Sequence, residues 1–296
     1  MPELKFGVYL FAHRLTSPQA VLDIAIAAEA LGFDSLWVGE RVFYPGKAPP
    51  DAPIDFEPLT VLSYVAARTS RIRLGTSTLI LPYRHPLLVA KAVATLDQLS
   101  GGRVILGVAA GWLEAEFAAL GVPFGDRGAI CDEYIAALRE LWTGDEPRFE
   151  GRFCSFGPLT FSPRPVQQPH PPIWIAGDSD RALRRAVELG DGWQPELGFE
   201  EMERAAQRFH QLARARGRVP PPLLAVGRRL GLTWDELGPE REPVHGRPEQ
   251  IALDLRRYHQ MGVCHFVFGI YHPTVGEVVQ DMERFATQVK PLIAGP

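Results

Sequence analysis

A carboxylate and a guanidinium adjoin at Glu40-Arg41, directly after the short apolar run Asp34–Val38. Arginine stays protonated, so Arg41 can anchor an anion or polarise a carbonyl but cannot act as a general base. Glu40 can accept hydrogen bonds, or serve as an acid or base if burial raises its pKa. A salt-bridged pair with no chemical role is the structural alternative. A second place for chemistry is Gly177-Asp178-Ser179-Asp180-Arg181, where the strand-like Ile173–Ala176 runs into a helical pattern. Free N–H groups at a helix start bind phosphate and other anions. Asp or Ser before a helix also serves simply as an N-cap, and Asp178 would repel a phosphate unless Arg181 and Arg184 offset it. The histidines His13, His85 and His272 follow strand-like runs too. A lone histidine at such a position is more often a structural hydrogen-bonder than a catalyst. No H-x-H pair and no group of carboxylates suggests a metal site, so metal-dependent hydrolysis is disfavoured.

These positions need a scaffold, and the chain alternates short apolar runs with longer amphipathic ones. Strands are predicted at Lys5–Leu10, Asp34–Val38, Ile72–Thr78, Arg103–Val108, Ile173–Ala176, Gly192–Gln194, Leu223–Thr233 and Cys264–Phe268. Lys5–Leu10, for example, is a β-rich run with Phe6, Val8 and Tyr9 that is too short for a helix. Helices are predicted at Ser17–Leu31, Phe56–Thr69, Pro86–Leu99, Asp126–Thr143, Arg181–Leu189, Phe199–Arg216, Pro248–Met261 and Thr274–Leu292. Ser17 is an N-cap candidate, Pro18 suits the first helical position, and Gly32 stands where a C′ glycine belongs. The segment 148–172 breaks the pattern with phenylalanines, glycines and prolines. It reads as a strand pair and loop, an insertion over one end of the fold that is expected to shape the pocket.

Alternation of this kind implies a parallel sheet with helical crossovers. Eight units close more naturally into a barrel than into an open sheet. An open doubly wound sheet would want a G-x-G-x-x-G turn after its first strand, and Phe11-Ala12-His13-Arg14 holds no glycine. The expectation is an α/β fold, a single (β/α)8 TIM barrel spanning residues 1–296 with the insertion at 148–172. The length of 296 residues exceeds the roughly 250 typical of the fold, which tolerates insertions. In such a barrel the active site lies at the C-terminal ends of the strands. That picks out Tyr9 to His13, Gly39 to Arg41, Ser77 to His85, Ala109 to Trp112, Gly177 to Arg181, Trp193 to Glu196 and Gly269 to His272, with Tyr9 and Trp193 as pocket walls.

Composition narrows the partners. A net charge of −4 gives no electrostatic footprint for nucleic acid or an anionic membrane. Cys131, Cys154 and Cys264 form no C-x-x-C pair, which argues against a disulfide framework or a zinc site. The first ten residues lack a cleavable signal pattern, and no uncharged apolar stretch is long enough to span a membrane, so a cytoplasmic protein is expected.

At the strand ends the sequence resembles a known family. The segments Leu31–Glu40, Thr69–Ser77, Arg84-His85-Pro86, Ala94–Arg103, Leu106–Trp112, Arg164-Pro165, Pro171–Gly177 and Leu189–Trp193 look like the luciferase-like monooxygenase superfamily, in family order. The wording is closest to the branch that uses coenzyme F420, a deazaflavin; FMN with oxygen is the alternative. The resemblance implies hydride transfer with a small-molecule substrate, and a homodimer. It also implies a non-proline cis peptide between Ser77 and Thr78, against the back of a tricyclic ring. The cofactor contacts it implies are Tyr9, Glu40, Ser77, Thr78, Ile80, Ala110, Gly111 and Trp112, with the phosphate held by Gly177, Asp178, Ser179, Asp180 and Arg181. Glu40 and Arg41 would be catalytic. Two departures stand out. The sugar-phosphate dehydrogenases of the F420 group carry Asp-His where this chain has Glu40-Arg41, and Glu where it has Trp112. Both point away from sugar phosphates toward a flatter, less charged substrate. They also keep a third reading open, a barrel that binds a ligand without turnover.

Overall fold

A computed structural model describes residues 3–10, 17–47, 56–219 and 221–293. The predicted His13 falls outside them. Eight parallel strands close into a ring: β1 (Lys5–Tyr9), β2 (Ser35–Val38), β3 (Arg73–Thr76) with its short continuation β4 (Leu79–Ile80), β5 (Val104–Ala109), β8 (Ile173–Ala176), β9 (Gly192–Gln194), β10 (Leu223–Arg229) and β13 (Val263–Gly269). Each pairs with the next, β3 with β5 across the gap, and β13 returns to β1 with Lys5 opposite His265 and Tyr9 opposite Gly269. The (β/α)8 barrel is therefore closed.

Helices follow the strands and cover the outside: α1 (Pro18–Ala30), α2 (Pro58–Ala66), α3 (Pro86–Ser100), α4 (Glu114–Leu120), α5 (Arg127–Thr143), α6 (Asp180–Leu189), α7 (Phe199–Ala215), α8 (Pro248–Gln260), α9 (Val275–Arg284) and α10 (Lys290–Ile293). Ser17 caps α1 by accepting from the Ala20 N–H at 3.1 Å, and Gly32 takes φ 73°, as a C′ glycine should. The short α4 has no counterpart in the sequence reading. The predicted final helix is interrupted by a wide turn at Phe285–Val289.

Most of the core lies between the outer strand faces and the helices, but the lumen has its own. The Trp37 and Trp174 rings lie 4.9 Å apart there, both edge-on to His265. Two indoles fit because glycines face them. A Cβ on Gly75 would fall 2.3 Å from the Trp37 ring, one on Gly7 2.5 Å from its Nε1, and one on Gly192 2.7 Å from Trp174. Trp37 Nε1 donates to Ser35 Oγ at 2.7 Å, and that hydroxyl meets His265 Nε2 at 2.8 Å. Burial pushes the His265 pKa down to about 3, so the ring is neutral at ordinary pH. The barrel is thus plugged beneath its mouth.

The insertion contains an antiparallel pair, β6 (Phe149–Glu150) with β7 (Ser155–Phe156), as expected. Its position corrects the expectation that it shapes the pocket. A connection from a helix back to a strand must lie at the N-terminal end of the barrel, opposite the strand ends that carry the site. The buried Asp97 of α3 fixes it there, accepting from the backbone N–H of Val166 at 2.8 Å and of Gln167 at 3.0 Å. Gln167 Nε2 then donates to the Val104 carbonyl at the foot of β5. The segment after β10 differs as well. The single predicted strand to Thr233 ends at Arg229, and β11 (Gly231–Leu232) pairs with β12 (His245–Gly246) in a separate small sheet.

Candidate active site at the barrel mouth

The C-terminal strand ends surround a cleft of about 480 Å³. On its β2 side Glu40 is almost fully buried, its side chain 2% exposed. The Ile80 N–H donates to Glu40 Oε2 at 2.6 Å, and Arg84 forms an ion pair with the other oxygen. Burial pushes the carboxyl above its ordinary range; Arg84 and the Ile80 N–H pull it only part of the way back. Arg84 also reaches Glu57 at 3.0 Å.

Arg41 takes no carboxylate among the described residues. Its guanidinium lies between two aromatic rings, 5.2 Å from Trp112 and 5.5 Å from Tyr44. Trp112 is 69% exposed, so it is not part of the core. The loop that carries Arg41 is held by Glu116 of α4, which accepts from the Val42 N–H at 2.7 Å and from the Tyr83 hydroxyl at 2.6 Å.

The floor is made where β3 breaks. The Ser77–Thr78 peptide is cis, as the resemblance implied; it lies between β3, which ends at Thr76 rather than at the predicted Thr78, and β4, which the sequence reading did not include. Opposite it, Gly111 has φ 83°, and a Cβ there would meet Ile80 at 2.7 Å and the Phe117 ring at 2.9 Å, so the chain approaches closely only as glycine. Arg127 Nε donates to the Gly111 carbonyl at 3.1 Å.

At the far end β8 turns into α6 through Gly177, with φ 119°. Ser179 caps the helix by accepting from the Ala182 N–H at 3.2 Å. The N–H groups of Asp180 and Arg181 have no acceptor among the described residues, and the Arg181 side chain has no carboxylate partner among them. Arg185 also lines this end, paired with Asp132. The structure separates the predicted phosphate residues accordingly. Gly177, Ser179 and Arg181 line the cleft, but the Asp178 carboxylate accepts from the Glu196 N–H at 2.7 Å, and Asp180 pairs with Arg208 of α7 at 2.9 Å. Both acidic side chains turn to neighbours, and neither lines the cleft.

Tyr9, Glu40, Arg41, Ser77, Thr78, Ile80, Ala110, Gly111 and Trp112 all line the cleft. Trp193 does not: it is wholly buried, stacked on Phe209 of α7 with Nε1 donating to the Gly177 carbonyl at 3.0 Å. His85 accepts from the Leu87 N–H at the start of α3, and His272 pairs with Asp281, so both are structural. Arg84, Glu116, Arg127, Arg185 and Gln194 were not singled out from the sequence. Their partners lie far away in the chain, and only the strand-end position of Arg84 and Gln194 gave any signal. Among the described residues no group of three or more His, Cys, Asp or Glu could hold a metal, and no helix is long and apolar enough to cross a membrane.

Residues 4–236 match the sequence profile of the luciferase-like monooxygenases. The chain belongs to that family. Its members are oxidoreductases or monooxygenases. An uncharacterized protein of Mycobacterium tuberculosis, Rv0940c, is 34% identical over 241 residues, 77% of this chain and 83% of the relative. The oxygenase component of the flavin-dependent trigonelline monooxygenase of Acinetobacter baylyi is 29% identical over 219 residues, 70% of this chain and 59% of that one. In fold, the coenzyme F420-dependent tetrahydromethanopterin reductase of Methanopyrus kandleri superposes with a TM-score of 0.81 at 19% identity, covering 98% of this chain and 99% of the other.

Proposed function

We propose that this protein is an oxidoreductase that uses coenzyme F420 to move a hydride to or from a small organic substrate. One observation carries the reading. The cleft lined by Ser77, Thr78 and Gly111 adjoins, at the start of α6, a further groove of about 420 Å³ that shares Gly128, Arg181 and Arg185 with it and adds Arg184, Asp132 and Glu188. FMN ends at its phosphate, whereas F420 continues beyond its phosphate into an acidic tail, and a groove past the phosphate end in which Arg181 and Arg184 have no salt-bridge partner among the described residues suits the longer molecule.

The residues present fit such a group. Ser77, Thr78, Ala110 and Gly111 would hold the flat ring system, since they offer backbone and small side chains. The N–H groups of Asp180 and Arg181, which have no acceptor among the described residues, and the Arg181 guanidinium would hold the phosphate. The deazaflavin would supply hydride chemistry with little reactivity toward oxygen. Glu40, whose carboxyl burial pushes above its ordinary range, is placed to hold or give a proton at the cleft wall. Arg41, always charged, is placed to stabilise negative charge developing on substrate.

A second reading, FMN with oxygen, is favoured by the identity to the trigonelline monooxygenase. Titrating the purified protein with F420 and with FMN, followed by fluorescence, separates the two. F420 binding without FMN binding is expected, and tight FMN binding with no affinity for F420 would reverse the assignment. Binding of neither would leave a barrel without redox function. A homodimer in the cytoplasm belongs to the same proposal, with sedimentation velocity as the test of assembly.

A further inference from the structure

The barrel mouth holds a second chamber beside the cleft. It encloses about 420 Å³, shares Tyr9, Ser77 and Glu196 with the cleft, and adds Gln194, Arg229 and Tyr271 among its walls. That volume lies within the range of about 300–1,000 Å³ common for small-molecule sites.

Gln194 is the informative wall. It ends β9 and points inward, one residue beyond the outward Trp193, because side chains alternate along a strand. The residue is 4% exposed. Its Nε2 donates to Ser77 Oγ at 3.1 Å, and its Oε1 is buried with no hydrogen-bond partner among the described residues. Buried amide oxygens are paired in nearly all native structures, so an orphan on a residue that lines a chamber is a candidate acceptor for a donor that a ligand brings once it seats there.

The charge in the chamber is similarly uneven. Arg228 is committed, to the Tyr258 hydroxyl at 2.8 Å and to the carbonyls of Gly227 and Leu197. Arg229 is exposed, lies 5.2 Å over the Tyr271 ring, and has no carboxylate partner among the described residues. A guanidinium resting on an aromatic face offers its edge to an anion beside a flat surface. Glu196 is the one carboxylate among the chamber's lining residues, and it disfavours an anion on its own side.

We infer that this chamber binds the substrate, a small planar anion that also carries a hydrogen-bond donor. Gln194 Oε1 accepts from the donor, Arg229 meets the anion, and Gln194 is a specificity-determining residue. The inference rests on the redox reading above, since it places the substrate beside Ser77, one of the three residues common to both spaces.

Calorimetry on the full chain tests it with three probes: 4-hydroxybenzoate, benzoate and 4-methoxybenzoate. The wild type is expected to bind the hydroxy acid at least tenfold more tightly than the methoxy acid, which offers only an acceptor. The near-isosteric Gln194→Met should abolish that preference and leave benzoate affinity within about twofold, and Arg229→Met should weaken all three acids about tenfold. Gln194→Leu, with thermal melts of every variant, guards against a folding defect. Absence of binding by all three acids, or a hydroxyl preference that survives Gln194→Met and Gln194→Leu, overturns the inference. So does loss of F420 or FMN affinity in those variants with acid preference intact, since Oε1 would then belong to the cofactor. A wild type that binds neither cofactor sinks the redox reading, whereas cofactor binding without acid discrimination sinks only the substrate assignment.

Discussion

Arg84 closes an ion pair on the buried carboxylate of Glu40, reaching it from just beyond the short helical turn that follows β4. The pairing joins the end of β2 to the segment that leads into α3, and it sets the charge of the cleft wall. Without Arg84, Glu40 would keep its burial and the Ile80 N–H but lose its only ion-pair partner among the described residues.

Arg84→Met is therefore expected to destabilise the protein in a pH-dependent way. The Glu40 pKa is already raised in the fold, so its protonated form is favoured there, and that contribution fades as pH rises through the folded value. Removing Arg84 raises the value further. The deficit against wild type should reach about 2–3 kcal/mol near pH 8, somewhat below the range of about 3–5 kcal/mol for fully buried pairs because Arg84 is partly exposed. It should narrow as pH falls and Glu40 takes up its proton in both proteins. Denaturant melts at successively lower pH check this, and Glu40→Gln added to Arg84→Met should remove the pH dependence.

At the α6 start, Arg181 and Asp180 are adjacent in sequence but opposite in expected effect. Arg181→Met removes the uncommitted guanidinium at the phosphate end and should weaken binding of F420 or FMN by about tenfold or more, the scale of a charge-assisted hydrogen bond. Asp180→Asn touches only the exposed pair with Arg208 and should change affinity by less than about twofold. Isothermal titration of both variants decides, and equal losses would mean that the helix start is not where the phosphate sits.

The lumen sets a stability prediction independent of any ligand. Gly75→Ala places a methyl 2.3–2.6 Å from three atoms of the Trp37 ring, with backbone behind it and Trp174 beyond. Overpacking of this kind costs about 1–3 kcal/mol. Trp37→Phe in the same chain should recover part of the loss, because the two positions share one space and their effects are not additive. Thermal unfolding of the single and double variants measures the coupling.

How much of this was legible beforehand follows from the geometry. Closure of eight strands forces all their C-terminal ends to one face, so Tyr9, Ser77, Gly111 and Gly177 could be brought together from element order alone. The choice between neighbours was harder. Trp193 and Gln194 are adjacent, and which one faces the mouth depends on strand pairing, here Ile175 opposite Trp193 and Ala176 opposite Gln194. Asp180 likewise lies one position from Arg181, and only the placement of α7 shows that it turns toward Arg208. Glu40 and Arg84 are separated by a helix and two strands, a contact no local pattern reveals. The insertion is different: its place between a helix and the following strand already required the face opposite the site.

Asp97 shows how a conspicuous motif can serve the scaffold rather than the chemistry. It stands in the Ala94–Arg103 segment that carried part of the family resemblance, yet its oxygens serve the scaffold: Oδ2 accepts from the Val166 and Gln167 N–H groups, and Oδ1 from Gln167 Nε2 at 2.8 Å and the Val104 N–H at 3.4 Å. Asp97→Ala would leave these donors buried without an acceptor, at a cost of about 1–3 kcal/mol for each group that water cannot reach. The expected result is a total loss of about 3 kcal/mol or more, with faster proteolysis near residues 148–172. Cofactor affinity in the protein that remains folded should match wild type, because the insertion lies at the opposite end of the barrel from Ser77 and Gly111. Limited proteolysis and F420 or FMN titration on the same preparation check both halves, and a cofactor defect larger than the folded fraction explains would show that the two ends of the barrel are coupled.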